Sequence, residues 1–303
     1  MLKPALLLLA AMTASALQAQ ELEPRSYANL PVGTRFLLTG YSYSEGGILA
    51  DPAVRLENAD AKVHAGFVGY LQALDVAGRS ARLKLLVPYA RLSASGLLAG
   101  QPGEREVSGP ADPALGFSLN LYGAPAVSPA EFADYQQNLS VAVSFLLRSP
   151  LGQYDKERLV NIGTNRWTLR SEVALSKTLR PWTFDASLAA SFFTDNNEFL
   201  GDGTREQEPI YALQLHAIHD FPSGMWASLG GTYYEGGEVN STSNGESTRL
   251  VGPRNSRIGA TFSFPVNAKN SIRLQGNTSV STRAGTTFDV GSLVWQHRWG
   301  GSK

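Results

Sequence analysis

Hydrolysis at a surface hydroxyl needs a base within hydrogen-bond reach, so the four histidines, His64, His216, His219 and His297, are the first residues to weigh. None has a serine two residues along, and the chain holds neither a Gly-x-Ser-x-Gly elbow nor a His-Glu-x-x-His helix. His216 shares a polar strand face with Gln214 and Asp220, which suits a hydrogen-bonding lumen residue. Glu206 and Glu208 read as acids of a solvated loop end rather than as a general acid and base. Asp195, Glu198, Asp202 and Glu206 match no calcium-loop spacing. The chain has no cysteine, so it carries no thiolate for metal or catalysis. No catalytic set, metal site or cofactor is expected. What remains is a set of cations: Arg82, Lys84, Arg148, Arg166, Arg170, Arg257, Arg273, Arg283 and Arg298, with the acids Glu172, Asp185, Glu206 and Glu208.

The elements that must position these charges announce themselves by period. Segment after segment alternates apolar and polar residues over about ten positions, which is the signature of strands. Leu139, Val141, Val143, Phe145 and Leu147 share one face, with Ser140, Ala142, Ser144 and Arg148 on the other. Trp167, Leu169, Val173 and Leu175 oppose Thr168, Arg170, Glu172 and Ser176. Read this way, strands fall near 34–45, 62–73, 80–90, 113–122, 138–149, 165–178, 181–194, 207–221, 225–235, 255–265, 271–283 and 288–299. An antiparallel transmembrane barrel of about twelve strands, within ten to fourteen, is the expected all-β fold.

The connections decide between this barrel and a soluble β-sandwich. Tight turns at 75–78, 179–181, 222–224 and 266–270 alternate with long connections at 46–61, 91–112, 150–164, 195–206 and 236–254. Short turns on one side and long loops on the other mark an outer-membrane barrel with periplasmic termini. The 123–137 connection breaks this rule, being long on the short-turn side, and Pro129–Tyr135 suits one short helix there. Trp182, Trp226, Trp295, Trp299, Tyr233 and Tyr234 lie near strand ends, where amphipathic rings meet the headgroup level. Lys177 shares a face with Leu175 but sits at a strand end, so its ammonium can reach water.

The N-terminus has the order of a secretory signal peptide. Lys3 precedes the apolar run Pro4–Ala16 and the small-residue stretch ending at Ala19, with cleavage expected after Ala19. An anchor helix would need about 18 or more apolar residues. Four parts are expected: a signal peptide at 1–19, a periplasmic segment at 20–33, the barrel at 34–299 and a short tail at 300–303. The 20–33 segment is expected as a free periplasmic tail, with entry into the lumen as the alternative.

Several stretches carry a resemblance. Pro150-Leu151-Gly152-Gln153-Tyr154-Asp155, Asn161-Ile162-Gly163-Thr164-Asn165-Arg166-Trp167, Phe193-Thr194-Asp195-Asn196, Thr204-Arg205-Glu206-Gln207, Arg254-Asn255-Ser256-Arg257 and Trp295-Gln296-His297-Arg298-Trp299 are spread over most of the chain. They resemble the outer-membrane transporter family named for the meta-pathway of phenol degradation. His297 stands where that pattern has tyrosine, and Gly300–Lys303 extends past the closing aromatic. The resemblance implies passage of small, often aromatic or hydrophobic, compounds across the outer membrane.

The functional expectation is therefore a passive channel lined by Arg82, Lys84, Arg166, Arg170, Glu172, Asp185, His216, Arg257, Arg273 and Arg283, basic on balance and suited to anions. Its partners would be outer-membrane lipid and lipopolysaccharide, the barrel-assembly machinery and a small-molecule solute. With 26 basic and 26 acidic residues, nothing suggests nucleic acid. The alternatives are a non-conducting structural barrel, in which these charges pair across the lumen and fill it, and an outer-membrane hydrolase.

Overall fold

The computed structural model describes residues 23–49, 56–98, 100–243 and 245–301; the expected signal peptide lies outside the described residues. Its strands are β1 (Arg35–Leu49), β2 (Leu56–Val76), β3 (Arg79–Leu98), β4 (Gln101–Pro110), β5 (Ala114–Tyr122) and β6 (Leu139–Arg148). They continue as β7 (Thr168–Leu179), β8 (Trp182–Phe193), β9 (Asn196–Phe199), β10 (Gly203–Gln207), β11 (Ile210–Asp220) and β12 (Trp226–Gly236). The last six are β13 (Val239–Ser243), β14 (Glu246–Leu250), β15 (Arg254–Pro265), β16 (Asn270–Ser281), β17 (Gly285–Thr286) and β18 (Asp289–Trp299).

Among these, β1, β2, β3, β5, β6, β7, β8, β11, β12, β15, β16 and β18 pair antiparallel in that order, and the sheet closes because β1 pairs with both β2 and β18. Tyr41 faces Gly66 on one side and Leu293 on the other. The result is the expected closed barrel of twelve strands. In lipid an open edge would leave backbone N–H and C=O groups unsatisfied, so closure is the condition for spanning.

Side-chain parity follows the alternation in the sequence. Leu188, Leu229, Val173, Phe145 and Ile258 point outward and are exposed, forming the surface offered to lipid. Ser140, Ala142, Ala174 and Ser176 point inward and are buried. Trp182 and Trp295 are exposed on the outward face, as expected of a belt. Trp226 is not part of that belt: it is buried on the inward face, because it shares parity with Ser228 and Thr232.

The short side of the barrel is built of tight turns. Ala77 and Gly78, with φ of 52° and 77°, form a two-residue hairpin turn with both central residues left-handed, the geometry that matches strand twist. On the same side α1 (Pro129–Phe132) forms within the long 123–137 connection, its first turn closed by reciprocal hydrogen bonds between Ser128 and Glu131.

The long side is more ordered than alternation alone suggests. Much of 46–61 and 91–112 is strand, since β1, β2 and β3 run on past the lipid-facing band and β4 adds to β3. The 195–206 and 236–254 connections form a second sheet in the order β14-β13-β10-β9. Beyond the bilayer neither strand face meets lipid, so the apolar alternation that reveals a spanning strand is no longer required.

Placing Arg at Leu188, mid-strand and facing lipid, should cost about 2 to 4 kcal/mol. Leu188→Arg is expected to abolish heat-modifiable migration on gels, while Ser187→Arg, which points into the lumen, should retain it. The reverse pattern would mean that the faces are assigned the wrong way round.

Candidate functional site

Two insertions shape the barrel interior, one from each end. From the outer end, loop 149–167 folds inward. Its Val160 and Ile162 pack with Ile48, Val63, Leu92 and Val290 into an apolar cluster on the inner faces of β1, β2, β3 and β18. One carboxylate ties the loop at two points: Asp112 Oδ1 accepts from Gly152 N at 2.9 Å, and its Oδ2 accepts from Thr164 N at 2.9 Å and Thr164 Oγ1 at 2.7 Å. Two stretches of the loop cross at Gly152 and Gly163, where a Cβ on Gly152 would lie 2.8 Å from Gly163 Cα. That crossing is the physical content of the Pro-Leu-Gly-Gln and Asn-Ile-Gly-Thr stretches.

From the short-turn end, residues 23–33 run inside the barrel. This is the alternative to the free periplasmic tail, and the reason is charge complementarity with the wall. Arg25 pairs with Asp220, and its backbone N–H donates to Asp185 at 3.3 Å. Tyr27 donates to Glu172 and lies 3.0 Å from Ser144 Oγ. Glu23 accepts from Lys84 at 2.6 Å and faces Arg273 at 3.5 Å. Arg82 donates to the Ser26 carbonyl at 2.7 Å. At the segment's end Val32 and Gly33 bond the carbonyls of Val127 and Ala73.

Around residues 23–30, and lined by them and the inner wall, lies a cavity of about 540 Å³. Its wall carries five basic residues, Arg82, Lys84, Arg148, Arg170 and Arg273, against the acids Glu172 and Asp185. Arg170 and Glu172 pair at 2.8 Å on adjacent inward positions of β7. The remaining excess is positive, so the field inside favours anions. His216 also lines the cavity, held by Gln214 at 2.8 Å, and its ring fills the space above Gly230, where a Cβ would lie 2.2 Å from its Nδ1. Trp226 sits beneath two cations, with Arg25 and Arg273 at 5.0 and 5.5 Å from its ring centroid.

Of the expected lining residues, Arg82, Lys84, Arg170, Glu172, Asp185, His216 and Arg273 meet at this cavity. Three do not. Arg257 points inward but is committed near the outer mouth to Asn277, Ser279 and the Phe288 carbonyl, at 3.1, 3.1 and 2.6 Å. Arg166 lies just before β7, buried over the Phe193 ring and donating to Gln207; burial, reinforced by Arg205, pushes its pKa well below the arginine range. Arg283 is exposed in the connection after β16, because that strand ends at Ser281 before parity can carry it inward. Arg298 is likewise exposed, at the short-turn rim beside Ala268. Glu206 and Glu208 are exposed among the outer elements rather than in the lumen.

Glu23, Arg25 and Tyr27 are the site residues that strand periodicity does not reveal. A basic wall in search of acids is the signal that could have found Glu23, and the polar parity of Trp226 was readable directly.

The family model described as "Putative MetA-pathway of phenol degradation" matches residues 52–295. Among solved structures, an outer membrane channel from Pseudomonas putida F1 is similar with a TM-score of 0.76 at 21% identity, over 92% of this chain and 100% of that one. The transport unit of the autotransporter AIDA-I from Escherichia coli is similar at 0.55 and 10% identity, over 95% of this chain and 98% of that one. Both likenesses are of fold. No curated protein matches the chain.

Removing the Asp112 carboxylate strands the Gly152 and Thr164 backbone donors, each worth about 1 to 3 kcal/mol when left unsatisfied, while the Thr164 hydroxyl keeps the Arg166 carbonyl. In Asp112→Ala, amide exchange across 150–166 should quicken by about tenfold or more while exchange in β6 and β7 stays slow. Unchanged protection of the loop would show that the Asp112 carboxylate is not what holds it.

Proposed function

The chain belongs to this phenol-degradation family, and on that footing we propose that it is an outer-membrane channel for passive diffusion of small anionic solutes with aromatic or hydrophobic bodies. The observation that carries this reading is the cavity wall, with five bases against two acids inside a closed barrel. Fixed positive charge in a narrow passage with low-dielectric walls raises the local anion concentration. Delivery through a signal peptide cleaved after Ala19 belongs to the same proposal, as does the absence of catalysis. His64 is engaged with Tyr41 on the outward face and His297 with Asn270. His216 has Gln214 on one ring nitrogen and Ser228 at 3.4 Å from the other, without a carboxylate bonded behind it to complete a triad.

A second reading, the non-conducting structural barrel, is favoured by one observation: loop 149–167 and residues 23–33 both occupy the lumen. Planar-bilayer recording separates the two. Under a salt gradient the reversal potential should show anion preference, and changing Lys84, Arg170 and Arg273 together to Ala should bring the preference close to unity. Absence of any conductance would favour the structural barrel, and cation preference in the parent protein would overturn the basic-lumen reading.

A further inference from the structure

Glu23 occupies a place in the lumen that its own segment does not require. Ser26 Oγ closes the local turn by donating to the Glu23 backbone carbonyl at 2.7 Å, so the turn is made without the Glu23 side chain. The carboxylate instead spans two walls. Oε2 accepts from Lys84 Nζ on β3 at 2.6 Å, and Oε1 lies 3.5 Å from Arg273 Nη1 on β16. Between those strands stand β18, β1 and β2. Lys84 and Arg273 side chains are 29% and 18% exposed and Glu23 is 40% exposed, so the socket is enclosed by its cations and open towards the cavity.

Beside this socket the inner wall turns apolar. Lys84 is the direct cross-strand partner of Leu71, which in turn faces Phe36 on β1. Leu38 and Leu86 flank Gly69 on either side in the same way. A Cβ on Gly69 would press against both leucines at 3.3 Å, so glycine leaves their surface unbroken. Phe36, Leu38, Leu71 and Leu86 all face the same cavity as Lys84 and Arg273. A paired cation set next to a small apolar patch, both reached from one cavity, is complementary to a carboxylate carrying a compact hydrophobic body.

We propose that the Lys84–Arg273 socket is the carboxylate site for the solute, that Glu23 is its resident occupant, and that a small carboxylate displaces Glu23 and lays its body against Phe36, Leu38, Leu71 and Leu86. This rests on the channel reading, since it names the solute class of the same lumen. It also gives the N-terminal segment a role: an intramolecular competitor that neutralises the socket until a free carboxylate replaces it. Arg82, which reaches Ser26 rather than Glu23, holds the segment by its backbone and is left in place when the carboxylate swings out.

Calorimetric titration of the detergent-solubilised full-length barrel with benzoate tests this, with benzyl alcohol as the neutral probe of similar shape. Glu23→Gln removes the competing charge and should tighten benzoate binding by about tenfold, with benzyl alcohol unaffected. Lys84→Met in the otherwise unchanged protein is the second arm and should abolish the benzoate signal, so the test does not depend on one variant folding. Equal benzoate affinity in parent and Glu23→Gln, or an equal gain for benzyl alcohol, would overturn the proposal, as would undiminished benzoate binding in Lys84→Met. The channel reading fails separately. A conducting protein whose benzoate affinity ignores Glu23 keeps the channel and loses the socket, while a non-conducting protein with the expected affinity changes keeps the socket and loses the channel.

Discussion

Everything in this molecule follows from the need to satisfy backbone hydrogen bonds in a medium that offers none. Within lipid a sheet has no water to cap its edge, so β1 must meet β18, and its pairing from Arg35↔Trp299 to Glu45↔Asp289 completes the ring. Closure then fixes parity. Once one face of each strand is committed to lipid, the other has only the lumen, and polar residues such as Arg170, Glu172 and Asp185 are carried there whatever their individual preference. A barrel of this size is wide enough to leave room inside, and whatever enters must answer the charges it finds.

The interior meets that requirement from both ends with different chemistry. At the outer end the inward wall is apolar, and loop 149–167 answers with Val160 and Ile162, an arrangement stabilised by burial and fixed by the Asp112 carboxylate. Towards the other end the wall is ionic, and residues 23–33 answer with Glu23 for Lys84 and Arg273, and with Arg25 for Asp220. These pairs are partly exposed to the cavity, where solvent screens them, so they are individually modest and exchangeable. That exchangeability is what the proposed solute site requires of the wall. The apolar outer cluster packs the loop against one side of the wall, whereas the ionic set can trade partners.

Much of this was legible in the sequence, and the limits have physical causes. The twelve barrel strands were readable because each must present alternate apolar residues to lipid, as in Leu139 to Leu147. The strand extensions of β2 and β3, and the small sheet of β9, β10, β13 and β14, were read as loops because outside the bilayer that alternation is not demanded. Seven of the ten expected lining residues share the cavity because parity holds through a regular strand. Arg283 fails because β16 ends two residues before it, and Arg166 because it precedes β7 and is buried against Phe193 and Gln207. Residues 23–33 were hidden because an irregular segment has no period; its place is set by pairing with distant charges, which no local pattern encodes.

Ser187 and Leu188, adjacent in sequence, lie on opposite sides of the wall, the first in a solvent-reached positive cavity and the second on the exposed outward face. The chain has no cysteine, so a single one introduced at either position can be read without background. In isolated outer membranes, reaction with anionic and cationic methanethiosulfonates, each rate divided by that reagent's rate with a small free thiol, measures access and field together. Ser187→Cys should react with both reagents and favour the anion by about tenfold, while Leu188→Cys should react with neither. Reaction at Leu188→Cys but not at Ser187→Cys would mean that the faces are reversed, and a preference for the cationic reagent at Ser187→Cys would mean that the cavity is not positive.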